Sequence, residues 1–240
     1  MREYLKREFT LFYKTKSLMI ISLLKPILVL FGLWISLTER GLDVMTVPSQ
    51  LFYALDKYLI TLLTIALSIE IISFAGCEYH YKTVLTKQTL SRWCDVLKAK
   101  ILIILIDLLI LMVVAIILSA LLMPTISLSV RIVEIVALTI YLFYFGIIIL
   151  LVIEIFQNEL AAIIFAGGTI LLGKTIFFGK YMPKPHFSTV LFYLEHLLSN
   201  VDYYRDFVTA RMWLKEFLYF IILIGLFITA YSIKRRIRNL

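Results

Sequence analysis

Apolar residues in this chain run in stretches too long and too continuous for the alternating surfaces of a soluble fold. Six stand out: Ser17–Leu37, broken by Lys25 and Pro26; Leu51–Ala75, holding Asp56, Lys57 and Glu70; Ile101–Met123, holding only Asp107; Ile132–Ile153, with Glu134 near its start; Leu160–Phe178, with Lys174 near its end; and Phe217–Ile233, with no charge. Each is near the roughly 20 residues that a bilayer core requires of a helix. In hydrocarbon, a segment of this kind satisfies its backbone hydrogen bonds internally, as a helix. The pattern predicts an all-α polytopic membrane protein of six transmembrane helices, forming one transmembrane domain over residues 1–240.

Composition points the same way. Hydrophobic residues make up 62% of the 240 positions, against about 45–50% in soluble domains. Charged residues are 17%, and mean hydropathy is +0.96. The net charge of +8 would suit a nucleic-acid partner, but the basic residues cluster beside the spans and read as topology instead. With both termini in the cytoplasm, inside segments carry 14 Lys and Arg and outside segments nine, with Lys25 left within the first span. Several of the nine lie on one long loop, where the rule weakens. The first stretch is too long for a typical signal-peptide core, and no small-residue cleavage site follows it. The expectation is a multi-pass protein of the cell membrane.

Three connections carry information. Met1–Lys16 is a candidate amphipathic helix, with Leu5, Phe9 and Phe12 on one face, Tyr13 adjoining, and Arg2, Lys6, Arg7 and Lys14 elsewhere. Such a helix lies along the inner leaflet. Gly76–Lys100 is the longest polar stretch on the inside. The outer connection, residues 179–215, opens on Met182-Pro183-Lys184-Pro185 and continues with Phe187, Leu191, Leu194, Leu198 and Val201 near helical spacing, among Tyr193, Tyr203 and Tyr204. It reads as one or two interfacial helices.

The candidate chemistry is sparse. Gly168–Thr175 fits the phosphate-cradling pattern G-x-x-x-x-G-K-T, but that loop works only between a strand and a helix, with free backbone N–H groups. Within a span the helix uses those groups, so no nucleotide is expected on this chain. Gly167, Gly168 and Gly173 read instead as points of close helix approach, with Lys174 reaching to the outer surface. Cys77, His80 and Cys94 fit no zinc spacing and lack a fourth ligand. His186 and His196 fall on the opposite side of the membrane from His80, and no hydrolase motif occurs, so catalysis is not expected. The charges within spans weigh more, because each costs at least about 2.5–3.5 kcal/mol at the bilayer centre. Lys25, Glu70 and Asp107 all fall in the cytoplasmic third of their spans. Lys25 is expected to pair with Glu70 or Asp107, the alternative being that each reaches the inner headgroups separately; a proton relay is a weaker alternative, because no chain of titratable groups continues outward.

The inside connection reads Glu78-Tyr79-His80-Tyr81-Lys82-Thr83, then Val84-Leu85 through Leu90, then Ser91-Arg92, with Lys98 and Lys100 before the third span. This resembles the type-two permeases of ATP-binding cassette exporters, in which a Glu is followed by Gly-Thr or Lys-Thr, an apolar-rich turn, Pro-x-Ser/Thr-Arg and a lysine. Gln88 stands where proline is common and Lys82 where glycine is common. The resemblance implies a cytoplasmic coupling helix between spans two and three, with Glu78, Tyr79, Lys82, Thr83, Leu85, Ser91 and Arg92 meeting the ATPase. It also implies ATPase subunits as partners, which bind ATP and magnesium in place of this chain, and a second permease copy or homologue. The substrate class it implies first is an amphipathic or antimicrobial peptide. The rival reading is a self-powered secondary transporter or channel.

Overall fold

The computed structural model describes residues 2–14, 16–38, 50–76, 93–172, 221–233 and 236. The described elements are helical throughout: α1 (Arg2–Lys14), α2 (Lys16–Thr38), α3 (Gln50–Ala54), a π segment (Leu55–Leu59), α4 (Ile60–Ile71), a second π segment (Ile72–Gly76), α5 (Trp93–Leu122), α6 (Leu128–Phe156), α7 (Glu159–Leu172) and α8 (Ile221–Ile233). Four helical stretches are long and apolar enough to cross a membrane: Leu18–Thr38, Gln50–Gly76, Cys94–Leu122 and Leu128–Phe156. They match the first four predicted spans. The fifth and sixth coincide with α7 and α8, shorter apolar helices within the described residues. The remainder of those two stretches, residues 173–178 and 217–220, lies outside the described residues, as does the 179–215 connection.

Two boundaries differ from the sequence reading. The third span was expected to start at Ile101, yet α5 begins at Trp93, so residues 93–100 extend the span helix instead of belonging to a loop. The fourth was expected from Ile132, yet α6 begins at Leu128 and takes in Arg131. Hydropathy marks where apolar residues begin, whereas a helix continues for as long as its side chains find partners. At 1.5 Å per residue, α5 and α6 are each roughly 45 Å long, enough to cross a bilayer core and project beyond it.

Each of α2 and α6 packs against both α4 and α5, which places the core among these four helices. Apolar residues facing inward include Val29 and Leu33 of α2, Leu63 and Leu67 of α4, Ile104 and Leu108 of α5, and Ile149 of α6. The outward faces are apolar too. On α2, Ile20, Leu23, Ile27, Phe31 and Trp34 are exposed, and on α5, Ile110, Val113, Ile117 and Leu121 are exposed. In water such stripes would drive association; in lipid they are the solvated surface.

The turns are specified locally. Between α5 and α6, Pro124 cannot continue the helix. The Arg131 Nη2 reaches back to donate to the carbonyls of Met123 (2.8 Å) and Ile126 (3.1 Å), closing the turn from the next helix. Arg131 is itself buried. Between α6 and α7, Gln157 takes a left-handed conformation, φ 53°, and its N–H bonds to the Ile153 carbonyl at 2.8 Å. Asn158 Oδ1 accepts the Leu160 N–H at 2.9 Å and caps α7.

Among the described residues, close helix approach occurs at glycines other than Gly167 and Gly168. Around the Cβ positions of Gly167 and Gly168 nothing lies within 4 Å. Gly146 of α6, in contrast, faces α4 and α5: a Cβ there would stand 2.9 Å from Ile71 Cδ1, 3.5 Å from Leu67 Cδ2 and 3.6 Å from Ile104 Cγ2. At Gly32 a Cβ would meet Leu59 Cδ2 at 2.6 Å. Gly146→Leu should therefore cost on the order of 1–3 kcal/mol or more through overpacking. Gly167→Ala should be neutral or stabilising, by up to about 1 kcal/mol of helix propensity. Unfolding titrations in mixed micelles test the contrast, and equal effects at the two positions would refute the packing assignment.

Candidate functional site

Three charges that the sequence strands in apolar runs come together in the core. Lys25 projects from α2, Glu70 from α4 and Asp107 from α5, and all three are buried. The Lys25 Nζ donates to Glu70 Oε2 at 2.5 Å and to Asp107 Oδ2, forming an ion pair with each. The Ser22 hydroxyl, one turn before Lys25, donates to Asp107 Oδ1 at 2.9 Å. Lys25 thus pairs with both carboxylates, where the sequence reading proposed one or the other, and the three groups do not seek the headgroups separately.

Local sequence explains the convergence. Ser22 and Lys25 sit at i and i+3, on one helix face. Pro26 follows directly, and because it lacks an N–H it leaves the Ser22 carbonyl without its i+4 donor. That discontinuity is tolerable in a membrane helix packed by neighbours. On α4, Leu67 and Ile71 flank Glu70 along the helix; on α5, Ile104 precedes Asp107 by three residues. Those same three apolar side chains line the Gly146 position. The small residue on α6 therefore faces α4 and α5 at the level where Lys25 of α2 ties them together. The π segment Ile72–Gly76 begins two residues after Glu70, and wide turns of this kind are frequent at functional positions.

A second buried pair was missed by sequence reasoning. Lys100 Nζ on α5 lies 3.4 Å from Glu154 Oε1 on α6, with both side chains buried. Lys100 was taken as a loop cation and Glu154 was not singled out. The available signal was a carboxylate just after the end of one apolar run, opposite a lysine just before another. Lys98, the other lysine of the family pattern, is exposed.

The N-terminal helix also departs from expectation. Its predicted apolar face was Leu5, Phe9 and Phe12. Phe12 is buried with Leu18, Phe74 and Ile103, with Leu5 packed alongside, but Phe9 is 42% exposed and the acidic Glu8 is buried. The inward face is therefore Leu5, Glu8 and Phe12, at i, i+3 and i+7. The rings of Phe12 and Phe74 meet edge to face, centroids 5.1 Å apart. Phe74 lies just before residues 77–92 and Ile103 on the helix just after them, so α1 bridges the two elements that bracket the polar connection.

Of the predicted coupling residues, Glu78, Tyr79, Lys82, Thr83, Leu85, Ser91 and Arg92 all lie outside the described residues, together with Cys77, His80, His186 and His196. Gly168 lies inside α7, where the helix takes up its N–H. Gly173, Lys174 and Thr175 are outside the described residues. Comparison with protein-family models, with curated proteins and with solved structures returned no match.

Removing the ammonium would strand two buried carboxylates, and breaking a buried pair costs about 3–5 kcal/mol. Lys25→Met should destabilise by that order, but by less when Asp107 is already Asn. A coupling energy of about 0.5–3 kcal/mol is expected from the double-mutant cycle. Strictly additive losses would mean that the two side chains do not interact.

Proposed function

We propose that this chain is the membrane-spanning permease subunit of an ATP-driven exporter of the ATP-binding cassette type. It has six spans, both termini in the cytoplasm, and residues 78–92 as the contact with a separate ATPase. It forms the translocation pathway as a dimer, with a second copy or a homologous chain, and carries amphipathic or antimicrobial peptides as its first substrate class. ATP and magnesium are bound by the ATPase. The observation that carries the reading is the Glu78–Lys100 sequence pattern, placed between two membrane helices.

Two features of the bundle support it. The first is α1, which packs through Phe12 on Phe74 and Ile103, one on each side of the connection. A push on residues 77–92 would therefore be shared by the second span, the third span and the N-terminal helix at once. The second is the continuation of α5 outward to Trp93, which gives the connection a rigid helical lever into the bilayer. A short helix seated in a groove on an ATPase would use such a lever to rock one helix group against another.

The self-powered secondary transporter has one observation in its favour, the buried Lys25–Glu70–Asp107 cluster, since ionisable groups within spans often mark ion pathways. Purification separates the two. Affinity-tagged protein from native membranes should bring down a soluble ATPase in stoichiometric amount. Glu78→Ala or Arg92→Glu should release most of it while leaving the chain folded. Transport by the purified chain alone in liposomes, without ATP, would contradict the exporter reading.

A further inference from the structure

We propose that the Lys25 cluster is a proton-binding site, holding one exchangeable proton on Glu70 at the junction of α2, α4 and α5. One ammonium faces two carboxylates, so a fully ionised cluster leaves one negative charge unbalanced within the bundle, where an uncompensated charge is costly.

The four carboxylate oxygens are not equivalent. Asp107 Oδ2 accepts from Lys25 and Oδ1 accepts from the Ser22 hydroxyl, so Asp107 is fully served as an anion. Glu70 Oε2 accepts from Lys25, but Glu70 Oε1 is buried with no hydrogen-bond partner among the described residues, on a residue only 2% exposed. A bare anionic oxygen there is the least favourable of the four, and a proton on it makes the cluster neutral.

Among the described ion pairs, Glu70 and Asp107 meet no cation other than Lys25. The helix α1, which packs on α2 and α5, carries Arg2, Lys6, Arg7 and Lys14, of which Lys6 is exposed, together with the acids Glu3 and Glu8. The other charged residue of α2, Lys16, is at its start, and the π segments beside α4 bring only Asp56 and Lys57, at the far end of that span. On α5, the cation nearest Asp107 in sequence is Lys100, roughly 10 Å away along the helix, and it pairs with Glu154. The charges of α6 are Arg131 and Glu134 toward one end and Glu154 at the other, and α7 carries only Glu159, in its first turn.

The step is a simple dissociation: the Oε1–H bond breaks, the electron pair stays on the carboxylate, and the proton passes to water. Loading and unloading change the core by one unit of charge at the point where Lys25 holds α2 to α4 and α5. The site would bias that packing whatever drives transport, so the inference stands apart from the exporter reading.

Infrared spectroscopy of the purified chain in lipid nanodiscs at neutral pH tests it. Wild type should show a protonated-carboxyl C=O stretch that shifts in D2O and moves on ¹³C-glutamate but not ¹³C-aspartate labelling. Glu70→Gln should abolish it. Asp107→Asn should abolish it too, because the remaining Lys–Glu pair is balanced without a proton, and this variant serves where Glu70→Gln does not fold. A wild-type spectrum without that band overturns the proposal. So does a band that persists in both variants, or a carboxylate signal that shifts only when sodium is added, which would assign the balancing charge to a metal cation.

Discussion

An ammonium group placed among apolar helices must be matched by anions brought to it, because apolar side chains and lipid tails cannot solvate it. That requirement at Lys25 organises the bundle. Its Nζ meets Glu70 of α4 and Asp107 of α5, fixing the rotation of three helices at once, since turning any of them would expose a charge to hydrocarbon. Apolar contacts alone give no such preference in lipid, where tails are as apolar as the side chains they would replace. The dispersion contacts of Leu67, Ile71 and Ile104 then close around Gly146, so that α6 meets the other helices at the level the ion cluster has set.

The same constraint explains the smaller features. Lys100 and Glu154 repeat the device between α5 and α6. The Arg131 Nη2 donates to two carbonyls of the α5–α6 turn. The N-terminal helix is fastened by the Phe12–Phe74 ring contact, with Phe9 left outward. Every charged group in these arrangements lies at a junction between helices, where it settles register and rotation, while the outer faces of α2 and α5 stay apolar for lipid.

What could be read from the sequence follows from how each feature is encoded. The helical class and the first four spans were legible because run length alone encodes them. Lys25, Glu70 and Asp107 were legible because a lone charge in an apolar run has few tolerable placements. Lys100 and Glu154 were not, because a charge near the end of a run looks the same whether it faces headgroups or a partner. Close approach at Gly146 was not legible because a glycine's neighbours are set by tertiary packing: among the described residues nothing stands beside Gly167 and Gly168, where Gly146 has two helices. The coupling reading rests on residues 78–92 as a sequence pattern, with Phe12, Phe74 and Ile103 as its structural neighbours.

The central claim is that Lys25 is the common partner of α2, α4 and α5. Solid-state NMR in bilayers, measuring dipolar dephasing between lysine ¹⁵Nζ and the side-chain ¹³C carboxyl of aspartate, reads that contact most directly. The account requires strong dephasing of one lysine signal, from direct hydrogen-bond contact, and loss of that signal in Lys25→Met. Dephasing unchanged in Lys25→Met, or a Lys25 signal that aspartate carbons leave undiminished, would contradict it.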